Sequence, residues 1–324
     1  VLMLFLVGLE LQPSVLWRMR VPIIGMGGLQ VVLTALLVGL LCTYTGFAWQ
    51  TAIVIGMIFS LSSTAIVLQT LDEKGWMKTA AGQSGFSVLL FQDIAVIPML
   101  AILPFLAIPG FMTTDQATLM AEEGLKTAQT GLPGWLSALQ VVGVVAGIIL
   151  AGHFLTRPLF RYIAETRSNE IFIATALLLV VTITVLMDWV GLSPALGTFL
   201  AGVVMAESEF RHELEISIEP FKGLLLGLFF IAVGASIDLA MMVSEPFLII
   251  GLVLGLMVLK FLVLMALGRL FKLQFADNLM FSFVLAQGGE FAFLLVSFAV
   301  QSSALSIEIA NRLIMVVVLS MMLT

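Results

Sequence analysis

Long apolar stretches recur along this chain with short polar connections between them, and no other feature limits the fold as strongly. A helix rising about 1.5 Å per residue needs about 20 apolar residues to cross a hydrocarbon core about 30 Å thick. A soluble chain of 324 residues would instead show helices with one polar face. Composition agrees: 61% of the residues are hydrophobic and 10% charged, against about 45–50% and about 25% in soluble proteins. No secretory signal peptide is read, because the first residues already belong to an apolar segment ending at Leu11. The absence of an initiator methionine, and an apolar run still open at Thr324, lead us to expect a fragment cut inside a helix at both ends.

Eleven spans are predicted, at 1–11 (incomplete), 21–43, 49–70, 83–108, 135–156, 169–188, 192–207, 220–238, 246–268, 276–300 and 306–324 (incomplete). The basic residues test this map. Odd-numbered loops hold Arg18, Arg20, Lys74, Lys78, Arg157, Arg161, Arg167, Arg211, Lys222, Arg269 and Lys272, which is eleven of the fourteen. Even-numbered loops hold only Lys126, while Lys260 and Arg312 fall within or at the edge of spans. Such asymmetry is what the positive-inside rule requires, so the odd loops are cytoplasmic and 109–134 is an external loop. The fold class is therefore an all-α polytopic membrane protein, surrounded by membrane lipid.

Several functions are disfavoured at once. A formal charge of −6 argues against nucleic acid, which needs a clustered basic surface. Cys42 is the single cysteine, and His153 and His212 are the two histidines, so neither disulfides, a thiolate metal site nor a Ser-His-Asp centre has support.

An internal repeat is visible. Gly8 in the first span and Gly234 in the eighth are 226 residues apart, and the same offset carries Ser62-Ser63-Thr64 in the third span onto Gly288-Gly289-Glu290 in the tenth. The two copies have opposite membrane topology, a transporter signature. Ser60, Ser62, Ser63 and Thr64 on one side, and Gln287, Gly288, Gly289 and Glu290 on the other, place small and polar residues at mid-membrane. Close helix packing uses such residues too. Their paired occurrence predicts two discontinuous helices whose half-helix ends direct partial charges at a midplane site.

Asp93 is the sharpest feature of the chain. It stands near the centre of a span, beside Gln92 and with no other charge nearby in sequence. Placing Asp at a helix centre costs about 2.5–3.5 kcal/mol on insertion scales. A carboxylate there holds either a proton or a cation, which is the basis of competitive exchange. Gln92 offers a carbonyl without adding charge, so one proton leaves for one cation and exchange is electroneutral. Pro98, about a turn beyond, loosens the helix. Glu290 fits either a site role or a structural ion pair; Lys260 is its candidate partner or a snorkelling side chain. Glu10, Asp238 and His153 read as interfacial.

These residues resemble a known family. Ser62-Ser63-Thr64-Ala65, Phe91-Gln92-Asp93, the stretch from Glu219 through Pro220, Phe221, Lys222 and Gly223 to Phe230, and Gln287-Gly288-Gly289-Glu290-Phe291-Ala292-Phe293 are similar to the Kef glutathione-gated potassium efflux systems, of the second monovalent cation:proton antiporter family. The resemblance runs over the whole chain. It implies an inverted-repeat cation/proton antiporter fold with two crossed discontinuous helices, a homodimer, a bacterial inner (plasma) membrane location and two spans preceding residue 1. It also implies K⁺ bound at Asp93, with Gln92, Ser62, Ser63, Thr64, Gln287 and Glu290 completing the ion and proton site. The expected activity is K⁺ efflux in exchange for H⁺, without enzymatic chemistry.

Kef proteins further carry a cytosolic domain that binds nucleotide and glutathione adducts, and they work with an ancillary subunit. Residues 1–324 would then be the transmembrane domain alone, holding no cofactor of its own. The segment containing His212, Glu213, Glu215, Ser217, Glu219 and Lys222 resembles the loop that meets the gating domain, although Ser217 stands where some members have Asp. A Na⁺-selective antiporter of the same architecture is the near rival. A gated channel is further off, because a channel wants a continuous polar path and this chain offers one compact midplane cluster.

Overall fold

The computed structural model describes residues 23–108, 169–189 and 243–324, together with Phe5 and isolated positions between 201 and 235. Every regular element among them is helical. In chain order, a π-helical turn at Ile23–Gly27 leads into α1 (Gly28–Tyr44), followed by α2 (Trp49–Ser60), α3 (Thr64–Glu73) and α4 (Ala80–Ile102). After these come α5 (Asn169–Trp189), α6 (Pro246–Leu270), α7 (Phe275–Val284), α8 (Phe291–Gln301) and α9 (Ile307–Met322). Four stretches among the described residues are long and apolar enough to cross a membrane: Ile23–Tyr44, Trp49–Glu73, Ala80–Leu100 and Pro246–Leu270.

The predicted spans reappear with small shifts. Spans 21–43, 83–108, 169–188, 246–268 and 306–324 become α1 with its π turn, α4 with a short 3-10 turn after it, α5, α6 and α9. The helix α4 runs through Pro98, an exposed position, to Ile102. Spans 49–70 and 276–300 are each broken in two, as the clusters of small and polar residues predict. Apart from Phe5 and those isolated positions, spans 1–11, 135–156, 192–207 and 220–238, with Glu10, His153, Asp238 and the expected external loop, lie outside the described residues.

The chain divides into two compact units, residues 1–17 with 114–233 and residues 18–113 with 234–324. In the first, α5 buries Ala176, Val180 and Ile183 along one face and turns Leu178, Val181 and Val185 outward. In the second, α6 buries Ile249, Val253, Leu256, Lys260, Val263, Leu264 and Leu267 at helical spacing. Its other face exposes Ile250, Leu254, Val258 and Leu262, and α1 likewise exposes Val32, Leu36 and Leu40. Apolar residues on the outside as well as the inside are what a lipid environment demands of a helix. Gly56 of α2 faces the Ala35 carbonyl of α1 where a Cβ would collide, so these two helices pack backbone against backbone. A core of Met26, Val67, Leu71, Val88, Leu89, Leu264, Phe281 and Leu285 ties α3, α4, α6 and α7 together beside the two breaks.

Candidate functional site

The first break follows from local chemistry. The α2 helix stops at Ser60 and Leu61 turns extended (φ −80°, ψ 146°). Ser63 then caps α3, its Oγ accepting from the Ile66 N–H at 3.3 Å. A helix end leaves carbonyls without intrahelical partners. Here side chains from other helices take them. Ser60 O accepts from Gln30 Nε2 at 3.0 Å and Gln92 Nε2 at 3.3 Å, and Leu61 O accepts from Lys260 Nζ at 2.6 Å. The N–H of Ser62 donates to Gln92 Oε1 at 2.8 Å.

The second break, between Val284 and Phe291, lies against the first. Leu285 O accepts from Ser62 Oγ at 2.8 Å, and Gln287 O accepts from Lys260 Nζ at 2.7 Å. Gly288 N–H donates to Ser320 Oγ of α9 at 2.9 Å. Gly289 approaches so closely that a Cβ there would run into the Ser62 backbone carbonyl. The two repeat-equivalent segments therefore touch, at the 226-residue offset between Ser62 and Gly288.

Charged groups are sorted by helix polarity. Carboxyl ends of α2 and α7 converge on Lys260, which is fully buried. Its third hydrogen bond goes to Ser62 Oγ at 2.9 Å, so all three donors of an ammonium are used. This replaces both sequence readings of Lys260: it neither snorkels nor spends a donor on Glu290, because the orphan carbonyls of two helix ends satisfy it. Amino ends of α3 and α8 meet on the acidic side. Glu290 Oε1 accepts from the Ala65 N–H at 3.3 Å, and Asp93 Oδ1 accepts from Thr64 Oγ1 at 3.1 Å. Two carboxyl groups thus address consecutive residues of one helix start, where the macrodipole favours negative charge. Asp93 and Thr64 are half-buried, whereas Gln92, Ser62, Ser63, Gln287 and Glu290 are buried. Among the described residues, Glu290 Oε2 and both amide atoms of Gln287 are buried without a hydrogen-bond partner.

Asp93, Gln92, Ser62, Ser63, Thr64, Gln287 and Glu290 are therefore gathered at one pair of breaks, while His212, Glu213, Glu215, Ser217, Glu219 and Lys222 lie outside the described residues. Three residues escaped the sequence reading: Gln30 with Thr34 on α1, and Ser320 on α9. Gln30 is a lone amide in an apolar helix, and its burial beside a break 30 residues away leaves no periodic trace.

The chain belongs to the sodium/hydrogen exchanger transmembrane family, whose model matches residues 1–324. It is thus a multi-pass membrane protein of that family. Among its relatives are the glutathione-regulated potassium-efflux system proteins KefC of Escherichia coli O45:K1 (strain S88 / ExPEC) and of Escherichia coli (strain UTI89 / UPEC). Each is 44% identical over 324 residues, covering 100% of this chain and 50% of the relative. The chain therefore spans about half the length of these relatives. The structure of the sodium proton antiporter MjNhaP1 from Methanocaldococcus jannaschii superposes with a TM-score of 0.64 at 14% identity, covering 99% of this chain and 80% of that one. The fold is thus the antiporter fold, and in this chain the helices at 49–73 and 275–301 are the two that break.

Proposed function

We propose that residues 1–324 form the membrane domain of a bacterial inner-membrane antiporter that expels K⁺ in exchange for H⁺, without enzymatic chemistry. The observation that carries this reading is the placement of Asp93. Its carboxyl receives the Thr64 hydroxyl at the start of α3, beside the joined breaks. The positive end of α3 favours a carboxylate there, so a proton and a cation compete for one group. When the cation occupies it, the Thr64 oxygen supplies a neutral ligand atom. Gln92, with no charge of its own, braces the break, and Ser62, Ser63, Gln287 and Glu290 complete the surroundings. One carboxylate with an uncharged neighbour gives exchange of one proton for one cation, with no net charge moved. K⁺ rather than Na⁺ follows the potassium-efflux relatives.

The gating part of the reading also follows those relatives, whose name includes regulation by glutathione. In it, a cytosolic nucleotide-binding domain meets the segment with His212, Glu213, Glu215, Ser217, Glu219 and Lys222, responds to glutathione adducts, and acts within a homodimer aided by an ancillary subunit. The test is transport by the purified protein in liposomes loaded with a pH dye. An imposed K⁺ gradient should move protons, should do so equally under a clamped membrane potential, and should fail with Asp93→Asn. Undiminished exchange by Asp93→Asn refutes the site. A Na⁺ gradient that works as well as K⁺ removes the selectivity.

A further inference from the structure

Gln30 of α1 takes part in the break without belonging to either broken helix. It is completely buried. Its Nε2 donates to Ser60 O at 3.0 Å and to Thr34 Oγ1 at 3.2 Å, which uses both amide hydrogens. Its Oε1 is left as acceptor and receives Gln92 Nε2 at 2.7 Å. The direction of this chain is forced from its far end. Ser60 O is a backbone carbonyl and can only accept, so the Gln30 amide must present nitrogen to it and oxygen to Gln92. Gln92 must in turn present its nitrogen to Gln30, and its oxygen then faces the Ser62 N–H at 2.8 Å. A flipped Gln92 would set an NH₂ group against that N–H, donor against donor. The buried amide on α1 therefore acts together with the Ser60 carbonyl, which also accepts from Gln92 Nε2 at 3.3 Å, in setting which end of Gln92 points into the unwound segment, next to the carboxyl of Asp93 in the chain.

We propose that Gln30 is a positioning residue for ion exchange: it holds the Gln92 amide in the orientation that receives the Ser62 N–H, and so steadies the break on which Asp93 and Thr64 meet the ion. It supplies the shortest of the three contacts on Gln92 Nε2, 2.7 Å against 3.3 and 3.4 Å to Ser60 O and Ser62 Oγ. The inference rests on the reading of Asp93 as the exchange group. It extends the set of functional residues to a helix outside the crossing, and it assigns Gln92 an orientation as well as a charge state. Thr34 is the outer anchor of the same relay. The burial of all three polar side chains, Gln30 and Thr34 on α1 and Gln92 on α4, excludes solvent as a substitute partner.

Gln30→Met keeps length and volume while removing both ends of the amide. In the liposome assay it should raise the K⁺ concentration for half-maximal exchange about fivefold, the change expected for one lost neutral hydrogen bond, with the maximal rate within about twofold. Gln92→Met should raise it similarly, and the double variant should do no further harm, because Gln30 acts through Gln92. A merely structural Gln30 would lower the yield of folded protein and leave the half-maximal concentration unchanged; that result, or additive effects in the double variant, overturns the proposal. If Gln30→Met does not fold, Thr34→Val gives the decision: a raised half-maximal concentration supports the relay and an unchanged one refutes it. Loss of exchange by Asp93→Asn alongside normal kinetics of Gln30→Met sinks this inference alone, whereas active Asp93→Asn sinks the reading beneath it.

Discussion

Replacing Lys260 by Met tests whether one side chain holds the two breaks together. Met has nearly the length of Lys and no donor. The substitution removes hydrogen bonds of 2.6, 2.9 and 2.7 Å to Leu61 O, Ser62 Oγ and Gln287 O. Each buried carbonyl left without a donor costs about 1–3 kcal/mol, so Leu61 O and Gln287 O together cost about 2–6 kcal/mol, while Ser62 Oγ keeps its bonds to Leu285 O and Gln92 Nε2. Against this, the native protein no longer has to keep an ammonium out of water, which returns several kcal/mol. The carboxyl ends of α2 and α7 also lose the positive group facing their dipoles, worth up to about 2 kcal/mol where buried. The balance is a net loss of about 2–4 kcal/mol, on the scale of removing one member of a buried charged network. Reversible unfolding of the purified protein in mixed micelles with increasing denaturing detergent measures it. A Lys260→Met variant within about 0.5 kcal/mol of the native protein would refute the reasoning, since that is the range of an inconsequential substitution.

Two further outcomes concern the carboxyl side and the crossing. Thr64→Val keeps the shape of the side chain but deletes the hydroxyl that donates to Asp93 Oδ1, while the cap of α3 remains with Ser63. K⁺-titrated exchange in liposomes should show half-maximal exchange shifted upward about fivefold, equivalent to about 1 kcal/mol, at an unchanged folded yield. Gly289→Ala forces a methyl group against the Ser62 carbonyl and should destabilise the protein by about 1–3 kcal/mol and abolish exchange. Gly255→Ala on α6, with open space around the added methyl, is the control and should be tolerated in the same unfolding assay.

The spans among the described residues were legible because lipid enforces one rule on every residue that faces it, and apolar length then marks each of them. The breaks were legible for a different reason: Ser62-Ser63-Thr64 and Gly288-Gly289-Glu290 put helix-tolerant and small residues where uninterrupted Leu and Val would otherwise continue. Asp93 announced itself by its cost. Lys260 could be noticed but not interpreted, because its three acceptors are backbone and hydroxyl oxygens up to 199 residues away, and no side-chain pattern marks an orphan carbonyl. Gln30 was invisible for the same cause. The face of α1 on which it lies carries Thr34 one turn on and is otherwise apolar, and its partners beyond that helix, Ser60 and Gln92, come from elements distant in sequence.

The three hydrogen bonds on Lys260 share a single nitrogen atom, and this has a mechanical consequence. Two helices interrupted at mid-membrane would ordinarily be the softest part of such a bundle, free to hinge one at a time. With both interruptions fastened to the same atom, movement of either half-helix strains the other, and the bonds yield together or not at all. The crossing is riveted at that nitrogen, and a displacement of residues 60–65 is expected to carry 285–291 with it.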